Sequence, residues 1–281
     1  MTPFGNLAKK PVIHFVWQIV NRSGRHRIAT HSAALAYFTL LSTVPILFFI
    51  LSVGSLFVNV QEVRAFSLDT LESLLPVTTE VTRNNIDSLL NLRSTLGVVS
   101  GLWALWSCSG MFTALEHAIN VVWGQPHARG FWKRRLIGIL SLLSLTMWVL
   151  FTFVARTMWK LLPAWLPIFT EITYPKWTER GLSFLSIVLL SLALYRFFPA
   201  RPVDGRWAVG ISLSVSLIWV ISREAFAWAL TAGVLSYPIV YGSLWGLVVP
   251  IVWAYWSYRI LLTGAEVQAY VEEVRFGSPT R

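Results

Sequence analysis

The chain has 281 residues, 55% of them hydrophobic and only 13% charged, with a mean hydropathy of +0.61. Ordinary soluble domains carry about a quarter of their residues as charges, so this composition excludes them and points to a polytopic membrane protein. A net charge of +10 would suit nucleic acid, but the basic residues crowd beside apolar runs, at Lys9, Lys10, Arg22, Arg25 and Arg27 and again at Arg129, Lys133, Arg134 and Arg135. There they hold loops in the cytoplasm and meet anionic lipid headgroups.

Residues 1–31 contain no acid, and Ile13, Val16, Trp17 and Val20 recur at helical spacing opposite polar positions. This is the pattern of a short basic helix lying in the cytoplasmic interface. No small-residue cleavage site follows it, so the first long apolar run reads as a retained signal anchor. His26 and His31 stand at the membrane entrance with no acid or cysteine near them in sequence, which favours a solvated or lipid-facing role over a ligand role.

The first span covers 32–58 and places Thr39, Ser42 and Thr43 just ahead of Pro45. Proline removes a backbone donor, and hydroxyls nearby can meet the freed carbonyls, so Pro45 marks a kink and a candidate hinge. From 59 to 94 the chain turns polar, with amphipathic pieces flanking Pro76, an expected helical cap outside the cytoplasm. The second span, 95–122, opens with Gly97 and Gly101 at a close-packing spacing. It ends with Glu116 and, one turn on, Asn120. Its only cysteine, Cys108, excludes a disulfide within the chain.

A third span, 136–158, delivers Arg156 to a loop interrupted by Pro163, Pro167 and Pro175. The fourth, 181–198, returns to Arg196, and the fifth, 207–232, carries the adjacent pair Arg223 and Glu224. After a turn at 233–242 the sixth span holds no charge until Arg259, followed seven residues later by Glu266, two turns along one helical face. Six spans put both termini on one side. Loops assigned inside hold thirteen Lys and Arg against six outside, which puts both termini in the cytoplasm. The expected fold is all-α: a basic segment 1–31, one six-helix transmembrane domain 32–270 and a tail 271–281.

Three stretches, 31–45 (HSAALAYFTLLSTVP), 105–123 (LWSCSGMFTALEHAINVVW) and 241–269 (YGSLWGLVVPIVWAYWSYRILLTGAEVQA), with the Tyr195, Arg196, Pro199 and Trp207 group between them, resemble the YihY/BrkB family of bacterial inner-membrane proteins. The resemblance follows the chain in order over nearly its whole length and is thin in 59–94 and 159–180. It implies a six-span inner-membrane protein of poorly defined activity. The old label of ribonuclease BN is generally regarded as a misassignment, and lipid translocation is among the proposals for the family. It carries over no catalytic residues.

A metal-dependent nuclease needs clustered ligands around a water-accessible site. Here His14, His26, His31, His117 and His127 are scattered, so an enzyme is not expected, nor any cofactor, metal site or nucleic-acid partner. Ionisable groups inside spans cost ~2.5–3.5 kcal/mol each and usually face a cavity or a partner. Glu116, Arg223, Glu224, Arg259 and Glu266, with Asn120, are therefore the candidate intramembrane polar site.

Two readings of that site stand side by side: a path for a lipid, another amphiphile or an ion, or a set of static salt bridges. A scaffold or assembly factor that moves nothing is the third possibility. No GxxxxGK[ST] loop is present, so transport would be passive or gradient-driven. At 1.5 Å per residue, Glu116 and Arg259 fall at similar depth in the cytoplasmic half, which pairs them, with Glu266 as the alternative partner of Arg259. Arg223 belongs with Glu224 and Arg156 in a second, outer layer.

Overall fold

The computed structural model describes residues 11–54, 106, 109–125, 129–130, 132–145, 147–148, 176–201, 203–232 and 245–276. These residues are all helical apart from short connections, in seven helices: α1 (Pro11–Arg25), α2 (Ile28–Gly54), α3 (109–122), α4 (132–145), α5 (Lys176–Phe197), α6 (Gly205–Thr231) and α7 (Trp245–Phe276). Two of them, α6 and α7, are long and apolar enough to cross a membrane by length and composition. The cap at 59–94, the Gly97 and Gly101 pair, Cys108, Arg156 and the turn at 233–242 lie outside the described residues.

Helix ends follow local chemistry and shift several expected boundaries. The first helical break comes at Arg27, which adopts a left-handed φ of 49°, so α2 starts at Ile28 and His31 is inside it rather than ahead of it. Helix α3 stops at Gly124, whose φ of 68° suits a residue without Cβ. Gly124 N donates to Val121 O and Gln125 N to Asn120 O, the paired bonds of a Schellman end. Asp204 caps α6 by accepting from Arg206 N. Helix α5 already includes Lys176, five residues before the expected span. Helix α7 continues to Phe276, so most of the expected tail is helix.

Helix α2 runs as helix through Pro45. Ahead of it, Thr39 Oγ1 donates to Leu35 O and Thr43 Oγ1 to Thr39 O, each one turn back along the helix. Thr39 also meets Tyr258 Oη at 2.7 Å and Met111 Sδ at 3.5 Å, which ties α2, α3 and α7 together.

Helix α7 is the spine. It packs along α2, beside α6, and against α1 near its C-terminal end, while α5 packs on α6. The α6 and α7 pair is in register through Trp219 Nε1 donating to Ser257 Oγ at 2.9 Å, with Trp253 between Trp219 and Phe226 at ring distances of 5.4 Å. The fully buried Tyr195 of α5 donates to Leu261 O of α7 at 2.7 Å.

Among the described residues, two glycines permit the closest crossings. A Cβ on Gly138 of α4 would stand 2.6 Å from Ser109 O of α3, and one on Gly264 of α7 would stand 2.3 Å from Tyr195 Oη and 2.4 Å from Val215 Cγ2. Because both atoms facing Gly264 belong to packed side chains, overfilling there costs ~1–3 kcal/mol. Gly264→Ala is accordingly expected to lower the melting temperature of the detergent-solubilised protein. Gly110→Ala, whose new methyl meets only the Arg135 side chain at 3.8 Å, is expected to leave it unchanged; equal melting of the two variants would contradict the close crossing.

Candidate functional site

A carboxylate taken out of water must find cations and hydrogen-bond donors or neutralise. Two of the acids singled out in the apolar runs, Glu116 and Glu266, are buried, and each is met by a different set of basic groups.

Glu266 belongs to α7 and is fully buried. Arg22 of α1 donates from Nε to its Oε1 at 2.6 Å, and His26 Nδ1 reaches its Oε2 at 2.7 Å. Arg22 also donates through a terminal nitrogen to Glu273 at 2.5 Å and stands 5.4 Å from the centre of the Tyr270 ring. Burial alone would lower the Arg22 pKa, but Glu266 and Glu273 outweigh it and hold the guanidinium above its ordinary value. It is therefore charged throughout the biological pH range.

The local sequence explains the docking of α1. Phe15, Ile19 and Arg22 recur at helical spacing; Phe15 packs edge-on to Tyr270 at 5.6 Å and Ile19 is buried. Val16, Trp17 and Val20 occupy the outer side and are exposed.

Glu116 is held at the turn between α3 and α4. Arg129 donates to its Oε1 at 2.7 Å, as does Asn120 Nδ2 at 2.7 Å, and Arg134 Nε stands 3.4 Å from Oε2. The same groups grip the end of α5. Arg129 donates to Phe198 O at 2.8 Å, and Asn120 Oδ1 accepts from Ala200 N at 2.8 Å. The Schellman end at Gly124 turns the chain back so that Arg129 can reach Glu116, thirteen residues behind it. A third, more exposed set joins α6 to α7: Arg275 donates to Asp204 at 2.9 Å, and Asp204 N donates to Glu272 at 2.9 Å.

The expected pairing is corrected by this geometry. Glu116 meets Arg129 and Arg134, and Glu266 meets Arg22 and His26, so neither pairs with Arg259. Arg259 is exposed, 2.8 Å from Tyr255 Oη one turn before it. Arg223 does meet Glu224, at 2.8 Å, on the exposed side of α6. Arg22, His26, Arg129 and Arg134 are the partners that sequence reasoning missed. Arg22 reads as one of several topology-setting charges, and His26 reads as solvated because its carboxylate lies 240 residues away. The one available signal was the position of Arg22 on the Phe15 and Ile19 side of α1.

Among the described residues no group of three His, Cys, Asp or Glu side chains converges to hold a metal ion.

A family model described as virulence factor BrkB matches residues 19–280. Curated proteins similar to this chain include one named as ribonuclease-like, YfkH of Bacillus subtilis, 25% identical over 284 residues, which cover 92% of this chain and 95% of that protein. A UPF0761 membrane protein of Chlorobium luteolum is 26% identical over 91% of this chain and 60% of its own length. Another of Vibrio parahaemolyticus is 26% identical over 93% and 83%. The chain thus spans less than two-thirds of the Chlorobium relative. No solved structure matches it.

Breaking a buried ion pair costs ~3–5 kcal/mol because the remaining charge is uncompensated. Glu116→Arg and Arg129→Glu are each expected to reduce folded yield in detergent, and the exchange of both to recover part of the loss. Glu116→Arg combined with Arg259→Glu is expected to add the two single effects. Recovery in that second combination, with none in the first, would contradict the assignment.

Proposed function

We propose, on the premise that this chain belongs to the BrkB family of membrane proteins, that it assists passive or gradient-driven movement of a lipid, another amphiphile or an ion across the bacterial inner membrane. In this reading the chain is multi-pass, both termini face the cytoplasm, and α1 lies on the inner surface with Val16, Trp17 and Val20 in the lipid.

Arg259 carries the reading. It stands ~21 Å along α7 from Trp245 and ~11 Å before Glu266, where α1 docks at the inner surface in this reading, so it falls in the cytoplasmic half of a helix long enough to span, and its side chain is exposed. A guanidinium at that depth needs water, a protein partner or an anionic group. Its planar fork suits a phosphate oxygen pair. Tyr255 Oη holds it from one side, and the buried Glu116 and Glu266 are already committed to other cations.

A second reading, an envelope scaffold without transport, is favoured by a different observation. Glu116 and Glu266 sit in closed clusters that weld helix ends together, which is what static packing would require. The name of the Bacillus relative raises a ribonuclease; among the described residues nothing gathers the ligands that such chemistry uses.

The test is flux in vesicles reconstituted with the purified protein, with fluorescent phospholipid and anion reporters and a responsive positive control. Wild-type protein is expected to accelerate movement of an anionic phospholipid or an ion. Arg259→Ala is expected to slow it on the order of tenfold, the size of one lost charge-assisted contact. Absence of flux with the wild type, together with a stably copurifying partner, would favour the scaffold.

A further inference from the structure

A groove of about 360 Å³ runs between α5 and α6, lined by Leu189, Leu192, Ala193, Phe197 and Val209, with Gly205 and Arg196 at one end. We propose that it holds one acyl chain of an anionic glycerophospholipid of the cytoplasmic leaflet, with the lipid phosphate on Arg196. The site goes beyond the translocation reading: it rests on the orientation given there, which puts the end of α5 in the cytoplasmic leaflet, and not on transport, since a lipid bound here can be structural.

The lining is apolar along its length and cationic at its mouth, which is the division of a lipid molecule. Arg196 is exposed and donates one terminal N–H to Val203 O. That bond fixes the guanidinium at the groove end and leaves its other donors for a ligand, in the fork that matches phosphate oxygens. Arg206 is also exposed, on the first turn of α6 beside Gly205. Asp204, next to Gly205 in the chain, already accepts from Arg275 and from Arg206 N, so the mouth keeps a positive balance. Phe197 and Trp207 flank it with exposed rings, the residue types that settle at headgroup level.

The groove also has the right reach. Leu185 continues the exposed apolar line of α5 beyond Leu189, and from Arg196 to Leu185 the helix rises ~16 Å. That is about half of the ~30 Å hydrocarbon core, the depth of one leaflet. Free phosphate would use only the mouth and would leave the apolar wall unused.

The full-length protein in mild detergent should be titrated with phosphatidylglycerol, with diacylglycerol and with glycerol phosphate, bound molecules being counted by native mass spectrometry. Phosphatidylglycerol is expected to bind at least about tenfold more tightly than either compound, since each lacks one half of the recognition. Arg196→Gln is expected to weaken it about tenfold. Because Arg196 also holds Val203, Ala193→Trp provides the independent test: it fills the groove, leaves that bond in place and should abolish the specific lipid. Leu140→Trp, on the exposed side of α4, should leave binding unchanged. Equal binding of glycerol phosphate, or undiminished phosphatidylglycerol in Ala193→Trp, would overturn the proposal. So would a wild-type dimer without bound lipid that Ala193→Trp dissociates.

Discussion

The burial of Glu266 is the constraint from which most of the described architecture follows. A fully buried carboxylate two-thirds of the way along a long apolar helix is tolerable only if cations come to it. Arg22 and His26 do so from the opposite end of the chain, 244 and 240 residues away. The bond thereby recruits α1 to α7, and through the short break at Arg27 it sets where α2 enters its packing along α7. Glu273 and the Tyr270 ring complete the surroundings of Arg22, so the guanidinium is shared between two acids and an aromatic face.

The same solution recurs at Glu116, where Arg129, Arg134 and Asn120 close the end of α3 and reach across to the carbonyls after α5. Both clusters gather residues that flank helix ends, and both join elements that are distant in sequence. Between them the contacts change character. Small-residue crossings at Gly138 and Gly264, the Tyr195 bond to a backbone carbonyl and the Thr39, Tyr258 and Met111 knot hold the helices by shape and single hydrogen bonds. A membrane interior offers no hydrophobic gain for helix association, which leaves close packing and hydrogen bonds to supply it. Arg259 stands apart from both clusters, exposed on α7, and this separation is why it and not the buried acids carries the functional reading.

Helix existence was legible because apolar runs and their flanking charges act locally. The ranges of α6 and α7 sit within a few residues of the expected spans, apart from the extension of α7 to Phe276, and Glu116 and Glu266 stand out simply as acids in apolar surroundings. Their partners were not legible. Depth along a helix says which residues share a layer but not which helix faces which, so Glu116 and Arg259 could be placed at one level without being neighbours. Arg22 illustrates the second difficulty, because a basic residue beside a span satisfies the topology rule whether or not it is also buried against an acid. The left-handed turn at Arg27 escaped for a third reason: arginine carries no local preference for that conformation, and the surrounding contacts impose it.

The central claim is that Arg22 and Glu266 form one coupled unit that docks α1 on α7. A double-mutant cycle with Arg22→Gln, Glu266→Gln and the combined variant, read as unfolding free energy in a single detergent, tests it most directly. If the pair is coupled, the double variant loses no more stability than the worse single variant, which corresponds to a coupling of ~2 kcal/mol. Losses that simply add would mean that the two side chains act independently and would contradict the account.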